Sequence, residues 1–530
     1  MTKYYSKDSR DSLKYNVCSA IETWKSTSWS ELYSKEVFRD YVLPPNIAFE
    51  PLEFYWREDI PKWLHYKDTS DVLVSAQRIN RKVDIVTDFE AWGNPPLGYT
   101  ETMEGNVGKC DDRAILTAMA MRSYGIPAAY EFIPCWGSRN NGHSFCSVIL
   151  PDLKLAVFQD KFDSGLTEYF SHKVPKIYRF YSYGGVNSLD KYAYQTRYLE
   201  DTHAIDVTDQ HNISQIEEVS LPLYNDSNSS VYLSVYSNKT WMPVAKESLR
   251  KKTRVTFKHI GTGKNISNGD ISLGENIGDG ILYLPITYQG NSCLPVSSPV
   301  IVSEDGIRAI KPSSVKERII ISRKYPRLQR IVGFANNMKG GYFEMGSDEG
   351  ITTVRWQYKI VDTPNSYVET IPVKYNTPVK WIRFRKPRGA FSIADLHVFN
   401  QDGKEIEGQI ISDKALEGLS ELENVFDDDV LSFFELPVSY DLWVGIRFKE
   451  PTIVGSFDYC PRTDFNDITP GHSYDIYYWD DRWIMLGNHI AENNYLEVDI
   501  PKGALILVDD VTAGKEIRPF TFEDGRQIWW

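Results

Sequence analysis

Nowhere in the sequence do about 18 apolar residues follow one another, so no segment is suited to cross a bilayer as a helix. Basic charge is in deficit. The 59 Lys and Arg against 72 Asp and Glu leave a formal charge of -13, which excludes sequence-independent binding to nucleic acid or to an anionic membrane. Cysteine is scarce, six in 530 residues, at positions 18, 110, 135, 146, 293 and 460. With no CxxC pair among them, they form neither a disulfide framework nor a zinc site, and no metal or cofactor is expected. The opening MTKYYSKDSRDSLKYN has no apolar stretch of the signal-peptide kind, so it supplies no export address. No fixed-period repeat and no low-complexity tract appears.

What is present is a chain too long for one core, 42% hydrophobic and 25% charged. Its texture changes twice. Residues 1–212 mix helical spacing, as in DSLKYNVCSAIETWK, SELYSKEVFRDYV and SDVLVSAQRINRKVDIVTDFEAW, with short apolar runs, and read as an α+β domain. Residues 213–310 alternate, as in VYLSVYS, TRVTFKHI and GILYLPITY between Gly, Asn, Ser and Asp clusters, which predicts a β-sandwich acting as a spacer. Residues 311–530, with VKWIRFRKP, LWVGIRFKE and SYDIYYWDDRWIML, predict a further β-sandwich domain rich in aromatics.

The chemistry concentrates in NVGKCDDRAILTAMAMRSYGIPAAYEF. Between Cys110 and Tyr124 there is neither Gly nor Pro, and Gly125 and Pro127 then supply a stop, so a helix begins at Cys110. Unpaired N–H groups and the positive dipole end favour a thiolate there, while Asp111 and Asp112 oppose it. AAYEFIPCW and HSFCSVIL read as strands joined by GSRNNG. Alternation puts His143, Phe145, Ser147 and Ile149 on one face and Ser144, Cys146 and Val148 on the other. LAVFQD returns antiparallel and brings Gln159 and Asp160 back beside His143. A thiol, an imidazole and a group that orients the ring are what cysteine nucleophilic catalysis requires. Cys135 and Cys146 read as small apolar fillers.

The stretch GNVGKCDDRAILTAMAMRSYGIPAAYEF, with GSRNNGHSFCSVIL and LAVFQD, resembles the core of the transglutaminase-like superfamily, whose fold is papain-like. YVLPPNIAFEPLEFYWRE resembles a segment of a bacterial multidomain branch of it, and GHSYDIYYWDDRWIMLG with FTFEDGRQIWW resembles that branch's discoidin-like (galactose-binding-like) closing domain. The resemblance implies Cys110 as nucleophile and His143 as base. Asp160 is the favoured third member, with Gln159 as a neutral alternative. It further implies a secreted, periplasmic or cell-surface enzyme acting on an amide of a peptide or glycopeptide, as hydrolase or acyltransferase. The alternative is a non-catalytic binding protein that retains the cleft. Trp92, Trp136 and Arg139 are candidate substrate-binding residues beside the site. Trp479 and Trp483 are candidate stacking faces for a glycan.

Overall fold

The computed structural model describes residues 7–66, 71–87, 97–181, 194–200, 203–227, 230–249, 252–264, 274–514 and 516–530. The protein is multidomain and mostly β-sheet, with its helices concentrated near the N-terminus. Among the described residues no helix is long and apolar enough to cross a membrane.

Six helices precede the first large sheet: α1 (Lys7–Ser26), α2 (Lys35–Tyr41), α3 (Trp56–Leu64), α4 (Val72–Lys82), α5 (Tyr99–Gly105) and α6 (Cys110–Ser123). Helix α4 is shorter than the sequence pattern predicts. It stops at Lys82, and the β-branched run that follows buries Val83 and Ile85 and enters a two-residue strand, β1 (Val86–Thr87). That strand pairs in parallel with β2 (Val107–Gly108), just before Cys110. All six cysteines are free thiols.

Helix α6 is the axis of the N-terminal unit. From Asp112 to Ser123 every residue is buried, and small side chains such as Ala114, Ala118 and Ala120 let the surrounding elements approach closely. It packs on α3, α4, α5 and one face of a five-stranded antiparallel sheet. The strands are β3 (Ala128–Ile133), β4 (His143–Ile149), β5 (Leu155–Phe158), β6 (Tyr178–Phe180) and β7 (Ala204–Asp206), in the spatial order β5-β4-β3-β6-β7. Each enclosed Ile, Leu or Met at this junction, such as Ile115, Leu116 and Met119, contributes about 1.5–3 kcal/mol. The helix ends as its sequence requires. Gly125 takes φ +69°, and the amides of Gly125 and Ile126 close on the carbonyls of Arg122 and Met121 at 3.0 Å each.

The opposite face of this sheet buries charge. Glu131 on β3 accepts from Arg179 Nε on β6 at 2.7 Å and lies 3.0 Å from His211 Nε2, while His211 Nδ1 contacts Glu168. Paired carboxylates outweigh burial and hold His211 up to about 9, and Arg179 with His211 holds Glu131 down to about 2.

Beyond residue 212 the chain is strands. Those up to residue 309 are β8 (Gln215–Ser227), β9 (Ser230–Ser237), β10 (Thr240–Ser248), β11 (Lys252–Gly261), β12 (Ile281–Gln289), β13 (Ser292–Pro295), β14 (Val300–Ser303) and β15 (Gly306–Ala309). They form one sheet in the order β10-β9-β12-β14-β15, with β13 also on β12, and a separate β8-β11 pair. The remainder, expected as one unit, buries two large, separate clusters besides a small one around Tyr325. One lies between the sheets of residues 342–460, around Phe343, Phe384 and Phe457. The other joins Ile319 and Ile321 to Tyr474, Val508 and Phe520. Strand Lys316–Ile321 pairs with Leu496–Pro501, so the 342–460 sheets are inserted within a unit that closes later in sequence. No compositional break marks such an insertion, since both units use the same alternating pattern.

Candidate active site

Cys110 is the first residue of α6, and the local sequence fixes it there. The Asp112 carboxylate accepts from the amides of Lys109 at 2.8 Å and Leu97 at 2.9 Å, which caps the helix start. Gly108 permits this closeness, because a Cβ at that position would sit 2.9 Å from the Asp112 Cβ. The amides of Ser144 and Asp111 donate toward the sulfur and favour its anion. Burial, followed by the Asp111 charge, outweighs them and pushes the thiol up to about 11. The opposition between dipole and carboxylates read in the sequence therefore resolves toward a neutral thiol.

His143 opens β4. Its predecessor must be glycine, since a Cβ at 142 would overlap the carbonyl oxygens of Ile133 and Pro134. The imidazole stacks on Trp136, with centroids 5.7 Å apart at 19°, and on Phe145 at 6.1 Å. Burial pushes it down to about 4, opposed by a hydrogen-bonding interaction of the ring with the Gln159 side chain as acceptor and by the Asp111 charge. Gln159 Nε2 donates to the Tyr169 carbonyl, which leaves Oε1 to accept from the ring.

Strand register puts Gln159, and not the favoured Asp160, on the face of His143. Ser147 pairs with Val157 and Cys146 with Phe158, so the next residue, Gln159, continues on the face of Phe145 and His143. Asp160 falls to the other face. Its carboxylate accepts from the Phe162 amide at 3.1 Å, and it is exposed. The reading of the hairpin from sequence left the register open, and the pleat decides it.

Cys110 arrives from the helix side of the sheet and His143 is rooted on the opposite face. Both line two cavities of about 440 Å³ each at the start of β4. One is an apolar cleft walled by Phe49, Tyr130, Phe132, Phe180, Tyr198 and Met242. Its rings brace one another: Tyr130 stacks on Phe132 at 5.8 Å, Phe132 meets Tyr198 at 5.7 Å, and half-exposed Phe49 meets Tyr130 at 5.5 Å. The other cavity has more polar side chains in its wall, with Arg113, Arg139, Asn140, Gln159 and His172 beside Trp136, and Asp160 at its exposed edge. Trp136 and Arg139 line this second cavity together with His143, whereas Trp92 lies outside the described residues.

A cluster that the sequence reading missed sits at the junction. Tyr130 Oη donates to Asp111 at 2.8 Å, Ser144 Oγ also bonds to Asp111, and the two hydroxyls lie 2.8 Å apart. In the sequence Asp111 counts as an opponent of the thiolate. Its charge also favours a protonated His143. Alternation placed Ser144 on the helix face, but only the β3–β4 pairing brings Tyr130 there as well.

The segment that delivers His143, residues 134–142, is tied down from distant parts of the chain. Asn141 N donates to Ser237 Oγ at 3.0 Å and Asn238 N to Asn140 Oδ1 at 3.0 Å. Asn140 N donates to Tyr325 Oη at 3.1 Å, and buried Arg518 donates to the carbonyl of Gly137 at 2.5 Å. The central strands therefore do more than separate their neighbours, since they supply Met242 to the cleft and anchors to this segment.

The rings considered for glycan stacking are packed into the protein. Trp479 is 4% exposed, edge-on to Trp241 at 5.5 Å and to Trp483 at 5.0 Å; Trp483 also meets Tyr236 at 6.2 Å. Their alternation reflects a core shared between the central and last units, and it removes Trp479 as an open platform.

No protein-family model matches this chain, and no curated protein matches it. Thirteen chains of solved structures do, among them an inferred cysteine protease from Cytophaga hutchinsonii, at 15% identity and a TM-score of 0.20. That match covers 24% of this chain and 43% of the other, so it spans less than half of that protein's length. A likeness of this size bears on neither the site nor the activity.

Proposed function

We propose that the protein is a cysteine enzyme of the transglutaminase-like type that attacks an amide of a peptide or glycopeptide through Cys110 and His143. The observation supporting this reading is that both residues open onto the same two cavities, with an imidazole oriented by Gln159 and a sulfur faced by two amides. With a neutral thiol and a neutral imidazole at rest, His143 takes the proton as sulfur attacks the carbonyl. Asp111 stabilises the imidazolium so formed, and Gln159 Oε1 keeps its ring in place. The Cys110 backbone N–H, at the helix start, is one donor to the developing oxyanion. His143 then protonates the leaving amine, and water or a second amine resolves the thioester. An exported location belongs to this reading through the resemblance alone.

The depressed imidazole and raised thiol favour a second reading, a binding protein that keeps the cleft without turnover. Incubation with a peptide-amide library, read by intact-mass spectrometry and product formation, separates the two. The expected result is a thioester adduct at Cys110 and turnover reduced by about 10³-fold or more in Cys110→Ala and in His143→Ala. Turnover that survives Cys110→Ala would overturn the enzyme reading.

A further inference from the structure

The polar cavity beside Cys110 contains guanidinium groups that, among the described residues, have no contacting counter-charge. Arg139 is partly buried, and the one side-chain hydrogen bond described for it is with His172, from Nη1 to Nε2 at 3.1 Å. His172 is itself held neutral by burial and by Arg139, Arg330 and Arg518. Among the described residues no carboxylate lies within 4 Å of Arg139; Glu516 acts from further off, and Arg330 repels it. Arg113, three residues along the helix from Cys110, is buried and donates to two neutral groups, Thr117 Oγ1 at 3.1 Å and Asn80 Oδ1 at 3.2 Å. Asp160, Asp163 and Asp84 reach it through space without contact.

Removing a guanidinium from water without an anion beside it is costly, and its planar fork matches a carboxylate. Of the other mostly buried arginines, Arg179, Arg323 and Arg383 touch carboxylates at 2.7 Å or less. Arg57, Arg122 and Arg518 instead each donate to two or more backbone carbonyls. The bond described for Arg139 goes to a neutral ring, in a cavity that also opens on the nucleophile and the base.

We infer that the polar cavity is a carboxylate-binding subsite, with Arg139 as its direct ligand and Arg113 adding field, for a substrate that puts an apolar side chain in the aromatic cleft. The substrate class is then a peptide with a carboxylate close to the scissile amide, either its own C-terminus or an acidic side chain. This rests on the proposed enzyme reading for the word substrate, but the binding itself does not.

The full chain carrying Cys110→Ala, which binds without turning over, is titrated calorimetrically with three probes: N-acetyl-Phe-Ala, N-acetyl-Phe-Glu-amide and N-acetyl-Phe-Ala-amide. At least one acid is expected to bind roughly tenfold tighter than the neutral amide, as suits a charged hydrogen bond. Whichever acid it is identifies the source of the carboxylate. Adding Arg139→Gln should bring that acid down to the neutral probe's affinity, while Arg139→Lys retains part of the preference. Equal affinities for all three probes would overturn the subsite, and so would a preference unchanged by Arg139→Gln. If Arg139→Gln does not fold, the Arg139→Lys titration decides, since loss of a fork on an intact fold must weaken the acid more than the amide. Absence of turnover in the wild-type chain alongside a retained acid preference would sink the enzyme reading and leave the subsite. Turnover at equal kcat/KM for acid and amide would do the reverse.

Discussion

Two histidines of the N-terminal unit start from the same ordinary value and finish far apart. His211, buried between Glu131 and Glu168, is held up to about 9, whereas His143, buried among Trp136, Phe145 and Gln159, is pushed down to about 4. Burial acts the same way on both, so the difference lies in the partners. Both rings lie on the same face of the sheet, but the carboxylates there are committed to His211 and Arg179, and the ring beside the thiol has an amide as its neighbour. A permanently charged His211 serves as an ion-pair partner, and a neutral His143 can accept a proton.

The comparison is broken most forcefully from the charged side. Glu131→Ala leaves Arg179 and His211 without their shared carboxylate, and a loss of about 3–5 kcal/mol is expected in urea unfolding. A loss below about 1 kcal/mol would mean that the cluster is hydrated rather than coupled.

Titration sharpens the contrast, because the two rings shift in opposite directions. His211 is raised, so its contribution is complete below its ordinary value of 6.5 and is lost as pH climbs through about 9. His143 is lowered, so its neutral form costs nothing above 6.5 and stability falls as pH drops from there toward about 4. Stability should therefore peak near 6.5. The alkaline loss, on the order of 2–3 kcal/mol, should vanish in His211→Gln. An alkaline limb of equal size in that variant would assign the loss elsewhere.

The smallest effect tests the amide itself. Gln159→Ala should lower kcat about 10–100-fold through a disoriented imidazole, with KM little changed and partial rescue by Gln159→Glu. Asp160→Ala should stay within about threefold of wild type. The reverse order would restore Asp160 as the orienting group.

Local features of this site were legible from residue order. Gly125 and Pro127 mark the end of a helix expected at Cys110, and α6 runs Cys110–Ser123. The strands read in AAYEFIPCW, HSFCSVIL and LAVFQD form as β3, β4 and β5. What escaped depends on pairing across distance. Gln159 against Asp160 turns on a one-residue register, and Tyr130 reaches Asp111 only through the β3–β4 alignment. Trp479 alternates as a surface ring would, and only the packing of one unit on another encloses it. Arg518 lies 381 positions from the carbonyl it holds, a separation no periodicity encodes.

That last tie has a practical consequence. A fragment cut after the first sheet would fold its helix and strands yet lose the hands that hold Gly137 and Asn140 in place. Its thiol would then face an imidazole free to wander. Any attempt to borrow this chemistry for another scaffold must take the far end of the polypeptide along with the near one.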